Sequence, residues 1–400
     1  MIRRALADIV QASAAKMPIL TLVGPRQSGK TTLARATFPK HEYFSLESPA
    51  NRAAALADPE GLLAQFRGGV ILDEVQRAPD LLSYIQIAVD ENDVPGRFVL
   101  TGSQNLLLMH SVSQTLAGRT AVFTLLPFSM RELSDLAPID PLAPEKIPET
   151  TAPLTEPPRD LWETLWTGGY PRIHDKGLEP SKWLSDYHRT YVERDVREVL
   201  KVMDMDGFER FVRLAAARTG QELNYASLAA DAGISQPTAR QWTTALQVSS
   251  LVTLLPPHFQ NFSKRLRKKP KLHFLDSGLV CYLLGIRSPE VLRNHPLRGA
   301  VFESFVVSEL TKAFVHRGME APLYHWRDAT GHEVDVIIDL GDRLVPVEVK
   351  SSATVGTHVF DGLRWWIGIG SNPTKGGMLV HGGGVRREQE GFSVRPWWIW

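Results

Sequence analysis

Cysteine is almost absent from this chain, since Cys281 is the only one among 400 residues. A disulfide needs two thiols, so an internal disulfide framework is excluded, and we expect a reducing compartment. No apolar run approaches the ~20 residues that span a bilayer, and the N-terminus lacks the charged-then-apolar pattern of a signal peptide. The sequence therefore predicts a cytoplasmic protein without membrane contacts.

An excess of charge of either sign is also missing. Lysine and arginine number 45 against 44 acidic residues, which gives a formal net charge of +1. A surface for nucleic acid must then be a local basic patch on a balanced background. The length exceeds the usual size of a single core, so we expect two to four domains of about 100–150 residues each.

What the chain does contain is a phosphate-binding motif. Residues 24–31 read GPRQSGKT and match G-x-x-x-x-G-K-[ST] at every fixed position, after an apolar run that suits a buried strand. In such a loop Lys30 reaches the β- and γ-phosphates, and the Thr31 hydroxyl ligates magnesium. The motif predicts a site for ATP and Mg²⁺ built from Gly24, Pro25, Arg26, Gln27, Ser28, Gly29, Lys30, Thr31 and Thr32.

A second nucleotide motif follows where the apolar strand 70–72 ends in Asp73 and Glu74. After a phosphate loop, such a pair predicts an aspartate that holds magnesium through water and a glutamate that orients and deprotonates the attacking water. The alternative is a solvated strand end. We therefore expect Asp73 as a metal residue and Glu74 as the catalytic base.

Polar residues also end the next predicted strand, RFVLTGSQN, where parallel strands converge on a ligand crevice. Ser103 and Gln104 are expected to sense the γ-phosphate, although either residue also suits a turn. Arg119 lies further on, between a short helix and a strand. It is a candidate arginine finger for a neighbouring subunit, which predicts a homo-oligomer, whereas by itself it reads as a surface arginine.

Residues 208–255 have the rhythm of a helix-turn-helix, with Gly233 at the turn and Ser235 capping the second helix. Two strands of a wing with a basic tip follow. DNA-binding versions use such a second helix for recognition and basic side chains for phosphate contacts, whereas other winged helices serve only packing. The expected DNA contacts are Thr238, Arg240, Gln241, Lys264, Arg265, Arg267, Lys268, Lys269 and Lys271.

The C-terminal segment suggests a second chemistry. Residues 333–338 and 344–350 read as a hairpin of strands, and alternation puts Glu348 and Lys350 on one face, where they could meet Asp335. Two carboxylates with a lysine can hold magnesium and stabilise charge at a cleaved phosphodiester. The pattern resembles the PD-(D/E)xK nuclease signature, with Glu303 matching the helical acid and a further metal ligand. A polar face that simply meets water is the alternative.

The motifs GPRQSGKTT, ILDEVQ, LTGSQN, LAGRT, LLPFSMREL and GGYPR resemble, over nearly the whole chain, prokaryotic AAA-type ATPases with a C-terminal domain of unknown function. The resemblance implies an α/β fold: an AAA-like P-loop parallel sheet, a helical lid, a winged-helix segment and a restriction-endonuclease-like α/β domain. The expected boundaries are 1–137 for the core, 138–158 for a proline-rich connector, 159–207 for the lid, 208–290 for the winged helix and 291–400 for the nuclease-like domain.

These features predict a protein that hydrolyses ATP and couples its nucleotide state to the binding or processing of DNA, including branched DNA or ends. Metal-dependent cleavage is part of this expectation. The alternative is a regulatory nucleotide switch whose C-terminal half binds DNA or protein without cutting.

Overall fold

The computed structural model describes residues 2–103, 112, 114–148, 155–192, 204–258, 269–328, 330–369 and 376–399. The chain divides into two compact units. The first comprises residues 1–128, 248–250 and 315–319, and the second comprises residues 129–247, 251–314 and 320–400. The finer division into five segments stays a prediction.

The first unit is built on a parallel sheet. Its strands are β1 (Ile19–Val23), β2 (Glu42–Ser45), β3 (Val70–Asp73), β4 (Phe98–Thr101) and β5 (Thr120–Thr124). They pair in parallel in the order β2-β3-β4-β1-β5. Its helices are α1 (Leu6–Ala14), α2 (Lys30–Thr37), α3 (Pro49–Ala57), α4 (Pro59–Gln65) and α5 (Leu81–Glu91), with a 3₁₀ turn at Val75–Arg77.

This sheet brings the nucleotide motifs to one edge. All residues of β1, β3 and β4 are buried, as expected for central strands covered by helices on both faces. Because these three strands are parallel neighbours, their carboxyl ends open into one crevice. The predicted P-loop sheet is confirmed.

The second unit begins with short helices: α6 (Met130–Leu133), α7 (Leu161–Thr167), α8 (Pro171–Lys176) and α9 (Pro180–Tyr187), followed by π-helical His188–Val192. The described residues of the proline-rich connector, 138–148 and 155–158, contain turns but neither helix nor strand. The GGYPR motif is structural: Gly169 N donates to Asp276 Oδ2 at 2.7 Å. Gly168 has φ +71°, and a Cβ there would lie 2.4 Å from Oδ1 of the same carboxylate, so a larger residue would displace Asp276.

A helix-turn-helix with a small sheet follows. Its helices are α10 (Met205–Ala217), α11 (Tyr225–Ala232) and α12 (Gln236–Val248), and its strands are β6 (Gln221–Glu222), β7 (Val252–Leu255) and β8 (Lys271–Phe274). The strands pair in the order β6-β8-β7, with both pairs antiparallel. Gly233 adopts φ +71° after α11, and Ser235 Oγ accepts a hydrogen bond from Thr238 N, as predicted. Both strands predicted for the wing are present as β7 and β8, their role as a wing stays a prediction, and β6 was not predicted.

A six-stranded mixed sheet completes this unit. Its elements are α13 (Ser277–Leu283), α14 (Pro289–Asn294), α15 (Arg298–Val315), β9 (Leu323–Arg327), β10 (Glu333–Asp339), β11 (Leu344–Lys350), a 3₁₀ turn at Thr357–Phe360, α16 (Asp361–Gly368), β12 (Gly377–His381), β13 (Arg387–Gln389) and β14 (Phe392–Pro396). The strand order is β13-β14-β12-β11-β10-β9. The predicted hairpin is β10–β11, and pairing of Val336 with Val347 leaves Asp335 and Glu348 side by side.

In the part of the chain that the structure describes, no helix combines the length and apolarity needed to cross a membrane.

Candidate functional site

The phosphate loop joins β1 to α2 through a backbone that few residues can adopt. Gly24 has φ +146°, and a Cβ there would lie 2.2 Å from the Leu125 carbonyl oxygen. Gly29, at the N-cap of α2, has φ +94°, while Gln27 lies in the left-handed region at +63°. The glycines of the motif are therefore required by the path of the chain.

Lys30 lies beneath this loop. It is 6% exposed, and its ammonium donates to the carbonyl oxygens of Gly24 at 3.1 Å and Pro25 at 2.9 Å. The hydroxyl oxygen of Ser28 is buried and has no hydrogen-bond partner among the described atoms. A cation held inside a loop, beside a buried hydroxyl without a partner, is a donor set that fits phosphate oxygens.

Asp73, at the end of β3, accepts hydrogen bonds from three hydroxyl groups. Thr31 Oγ1 donates to its Oδ1 at 2.8 Å, Tyr43 OH donates to its Oδ2 at 2.8 Å, and Thr101 Oγ1 donates to Oδ1 as well. The hydroxyl of Thr31 and the carboxylate of Asp73 are the kinds of oxygen that Mg²⁺ takes in phosphoryl-transfer sites. The structure thus brings together two residues that were predicted separately.

The pattern of the sequence did not predict the contact of Tyr43 with Asp73. Tyr43 lies on β2, which becomes the neighbour of β3 only through the sheet order. Partial burial and the hydrogen bond to Asp73 raise the pKa of Tyr43 to about 12, so its hydroxyl stays protonated and donates. Thr101, at the end of β4, also donates to Asp73.

Glu74 follows Asp73 with a strained backbone. Its φ of +59° is left-handed, a conformation that costs a non-glycine residue on the order of 1–3 kcal/mol. Gln76, from the same ILDEVQ motif, donates its side-chain amide to Glu74 Oε2. The strained turn and the amide together fix the direction of this carboxylate at the crevice end of β3.

The predicted sensor residues and the arginine finger have different outcomes. Ser103 follows β4 and is 6% exposed, with no partner for its hydroxyl among the described atoms. Gln104 lies outside the described residues. Arg119 pairs with Asp90 of its own chain, Nε to Oδ1 at 2.5 Å and Nη2 to Oδ2 at 2.9 Å. Its role towards a neighbouring subunit stays a prediction.

The helix-turn-helix presents a polar face. Arg240 and Gln241 on α12 are exposed, Thr238 is half-buried, and the Arg240 guanidinium lies 4.3 Å from the centre of the Tyr225 ring. Of the predicted wing tip, Lys264, Arg265, Arg267 and Lys268 lie outside the described residues, and Lys269 is exposed.

Lys271 does not belong to the basic tip, contrary to expectation. It is only 4% exposed, as the first residue of β8. Its ammonium lies 2.9 Å from Glu303 Oε1, 3.1 Å from Glu333 Oε1 and 3.8 Å from Asp335 Oδ1. A buried lysine engaged by carboxylates cannot reach a DNA phosphate, so this predicted DNA contact is wrong.

The predicted C-terminal residues do come together. Lys350 Nζ lies 2.6 Å from Glu348 Oε1 and 3.8 Å from Asp335 Oδ2, and Val349 N donates to Asp335 Oδ2 at 2.8 Å. We define the carboxylate cluster as Glu303, Glu333, Asp335 and Glu348, together with Lys271 and Lys350.

The charges of the carboxylate cluster perturb one another. Burial and the nearby Asp335 charge raise the pKa of Glu303 to about 7 and that of Glu348 to about 8. Burial alone would lower the pKa of Lys271, but Glu303, Asp335 and Glu333 outweigh it and hold that pKa above its usual value. Lys271 is therefore a charged ammonium near neutral pH.

Oxygen donors of this kind suit Mg²⁺ chemically, yet the arrangement does not form a ready metal site. Within the described ranges, no group of three or more His, Cys, Asp or Glu side chains could hold a metal ion. The ammonium of Lys271 lies against three of the carboxylates instead. Metal binding by Asp335, Glu348 and Glu303 stays a prediction that the geometry does not favour.

Comparison with known proteins agrees with the geometry of the first unit. Residues 16–134 match the family model of an AAA domain. With the phosphate loop, the acidic strand end and the parallel sheet, this match supports an AAA-type P-loop ATPase domain in the first unit. Residues 158–290 and 298–400 match two domains of unknown function, DUF8612 and DUF4143.

Two mycobacterial proteins are similar over most of the chain. They are the uncharacterized proteins Rv2008c of Mycobacterium tuberculosis and Mb2031c of Mycobacterium bovis. Each is 30% identical over 357 residues, which cover 88% of this chain and 74% of theirs. The chain belongs to the same family as these two proteins.

Two solved structures show weaker likeness. The Walker-type ATPase of Pyrococcus abyssi is 14% identical, covers 71% of this chain and 96% of its own, and gives a TM-score of 0.41. The RuvB Holliday junction branch migration motor of Thermotoga maritima is 19% identical, with coverages of 66% and 92% and a TM-score of 0.28.

Proposed function

We propose that this protein hydrolyses ATP with Lys30, Thr31, Asp73 and Glu74, and that the nucleotide state controls DNA binding by the second unit. ATP hydrolysis is supported by one contact between the phosphate loop and the acidic end of β3, the 2.8 Å hydrogen bond from Thr31 to Asp73. It supports a single site in which the phosphate loop and the acidic strand end act together.

Each residue has a distinct task in this proposal. Lys30 exchanges its contacts with the Gly24 and Pro25 carbonyls for phosphate oxygens, where its charge stabilises the transition state. Thr31 and Asp73 would hold Mg²⁺, which supplies positive charge to the transferring phosphoryl group. Glu74, directed by Gln76, orients the attacking water and accepts its proton.

Nucleotide titration separates these tasks. Lys30→Ala should weaken ATP binding at least about tenfold, because alanine cannot make charge-assisted hydrogen bonds to the phosphates. Lys16→Ala, an exposed lysine of the same unit, is the matched control and should bind like the wild type. Wild-type affinity in Lys30→Ala would contradict the assignment of the loop.

The polar face of α12 supports DNA binding as the function of the second unit. Arg240 and Gln241 are exposed there, and four more basic residues follow in the segment 264–268. Phosphate contacts made by such side chains give affinity that falls with salt and is shared by all sequences. ATP-dependent changes in this affinity would make the protein a nucleotide-controlled DNA binder.

Binding to duplex and branched DNA over a range of salt concentrations tests this part. Arg240→Ala should lower the affinity, and Arg293→Ala, an exposed arginine on α14, is the control. Replacing Lys264, Arg265, Arg267 and Lys268 by glutamine should reduce the salt slope by about 0.9 for each DNA phosphate that these side chains neutralise. Unchanged affinity and slope would favour a packing or protein-binding platform.

Cleavage of DNA by Asp335, Glu348 and Lys350 is a separate proposal. It needs a metal ion at carboxylates that two lysines engage in this structure. We therefore limit the function proposed for the second unit to binding.

A further inference from the structure

The carboxylate cluster of the second unit brings four acidic side chains close together. Asp335 and Glu348 are 4% and 6% exposed, so water neutralises little of their charge. Like charges crowded in such a place repel and are costly to bury without a cation. A cation at this site would relieve that repulsion.

Lys271 supplies this positive charge. It is the first residue of β8, where the backbone ladder pairs it with Leu255 on one side and Glu222 on the other. This pairing fixes the stem of the side chain. Its ammonium donates hydrogen bonds to Glu303 on α15 and Glu333 on β10, and lies 3.8 Å from Asp335 Oδ1 on β10.

Lys350 differs from Lys271 in its surroundings. Its side chain is 40% exposed, against 5% for that of Lys271, and its ammonium pairs with Asp335 and Glu348. Glu348 keeps a second carboxylate oxygen, Oε2, that is buried without a hydrogen-bond partner among the described atoms. Glu348 Oε2 can therefore accept a further hydrogen bond, whereas the carboxylates of Glu303, Glu333 and Asp335 already face Lys271.

We propose that Lys271 is the resident cation of the carboxylate cluster and excludes a divalent metal ion from it. A metal bound to Glu303 and Asp335 would use the oxygens that now face the ammonium, and the two cations would repel each other. The proposal is independent of ATP hydrolysis. It predicts a metal site that appears when this lysine is removed.

Manganese binding followed by electron paramagnetic resonance tests the proposal. All proteins are full-length, free of nucleotide and carry Asp73→Asn, so that the nucleotide site adds no signal. The wild-type cluster should bind no Mn²⁺ at concentrations up to about 1 mM. Lys271→Gln should bind Mn²⁺ with a dissociation constant of about 0.1 mM or lower, at least about tenfold below that limit. Adding Asp335→Asn to Lys271→Gln should abolish this binding.

Lys350→Gln is the matched control, because it removes one positive charge from the same cluster but leaves Lys271 in place. It should not create the Mn²⁺ site. Wild-type Mn²⁺ binding that Asp335→Asn abolishes would overturn the proposal, whatever the behaviour of Lys271→Gln. If Lys271→Gln unfolds, we expect Mn²⁺ to restore its fold, and a protein that stays unfolded or folds without gaining Mn²⁺ binding also contradicts the proposal.

Discussion

Gly24→Ala should disrupt the phosphate loop by a steric conflict between two backbones. The new Cβ would lie 2.2 Å from the Leu125 oxygen and 3.0 Å from its carbonyl carbon, with φ at +146°. Leu125 cannot easily yield, because its N–H donates to Val23 O at 2.8 Å next to the loop. Overpacking and backbone strain each cost about 1–3 kcal/mol, so the local destabilisation should total about 2–6 kcal/mol.

Gly118→Ala is the matched control, since Gly118 also has a positive φ, +76°, but a Cβ there meets nothing within 4 Å. It should cost only about 1 kcal/mol of backbone strain. Hydrogen exchange at the Leu125 amide measures the difference: protection should fall at least about 30-fold in Gly24→Ala and about fivefold in Gly118→Ala. ATP affinity should fall only in Gly24→Ala, and equal protection and affinity in both variants would refute the steric argument.

Three further outcomes follow from single contacts. Tyr43→Phe should weaken Mg²⁺-ATP binding about fivefold, because Asp73 loses one hydroxyl donor; unchanged affinity in titrations would reduce Tyr43 to packing. Burial lowers the pKa of His188 from 6.5 to about 4, so it contributes stability above about pH 6.5 that is lost as the pH falls towards 4. The free energy of unfolding in urea should fall by about 3 kcal/mol less in His188→Gln than in the wild type as the pH is lowered from about 6.5 to about 4. An equal fall in both proteins would contradict this assignment. Mixing Arg119→Ala with Lys30→Ala should restore some ATP turnover if sites form between subunits, whereas a mixture without turnover would argue against a finger in trans.

Local patterns predicted the parts of the site that depend on short stretches of chain. The phosphate loop, the acidic end of β3 and the glycine turn before α12 are specified by residue type at fixed spacing. The hairpin β10–β11 was also predicted, because period-two alternation over a short turn determines which side chains share a face. These features need no knowledge of distant partners.

The remaining contacts depend on which elements become neighbours. Tyr43 reaches Asp73 only because β2 lies beside β3, and Lys271 reaches Glu303 only because β8 packs near α15. Because Lys271 ends the basic run KRLRKKPK, it was predicted to lie in an exposed tip. A signal was present, since Lys271 and His273 alternate with the apolar Leu272 and Phe274, as in a strand that extends to Lys271.

Single-turnover hydrolysis by Glu74→Gln tests the central claim most directly. Enzyme in excess over radiolabelled ATP and Mg²⁺ reports the chemical step alone, and Glu42→Gln, at the opposite end of a neighbouring strand, is the control. We expect Glu74→Gln to bind ATP with wild-type affinity and to cleave it at least about 100-fold more slowly, while Glu42→Gln cleaves normally. A wild-type cleavage rate in Glu74→Gln would contradict the account.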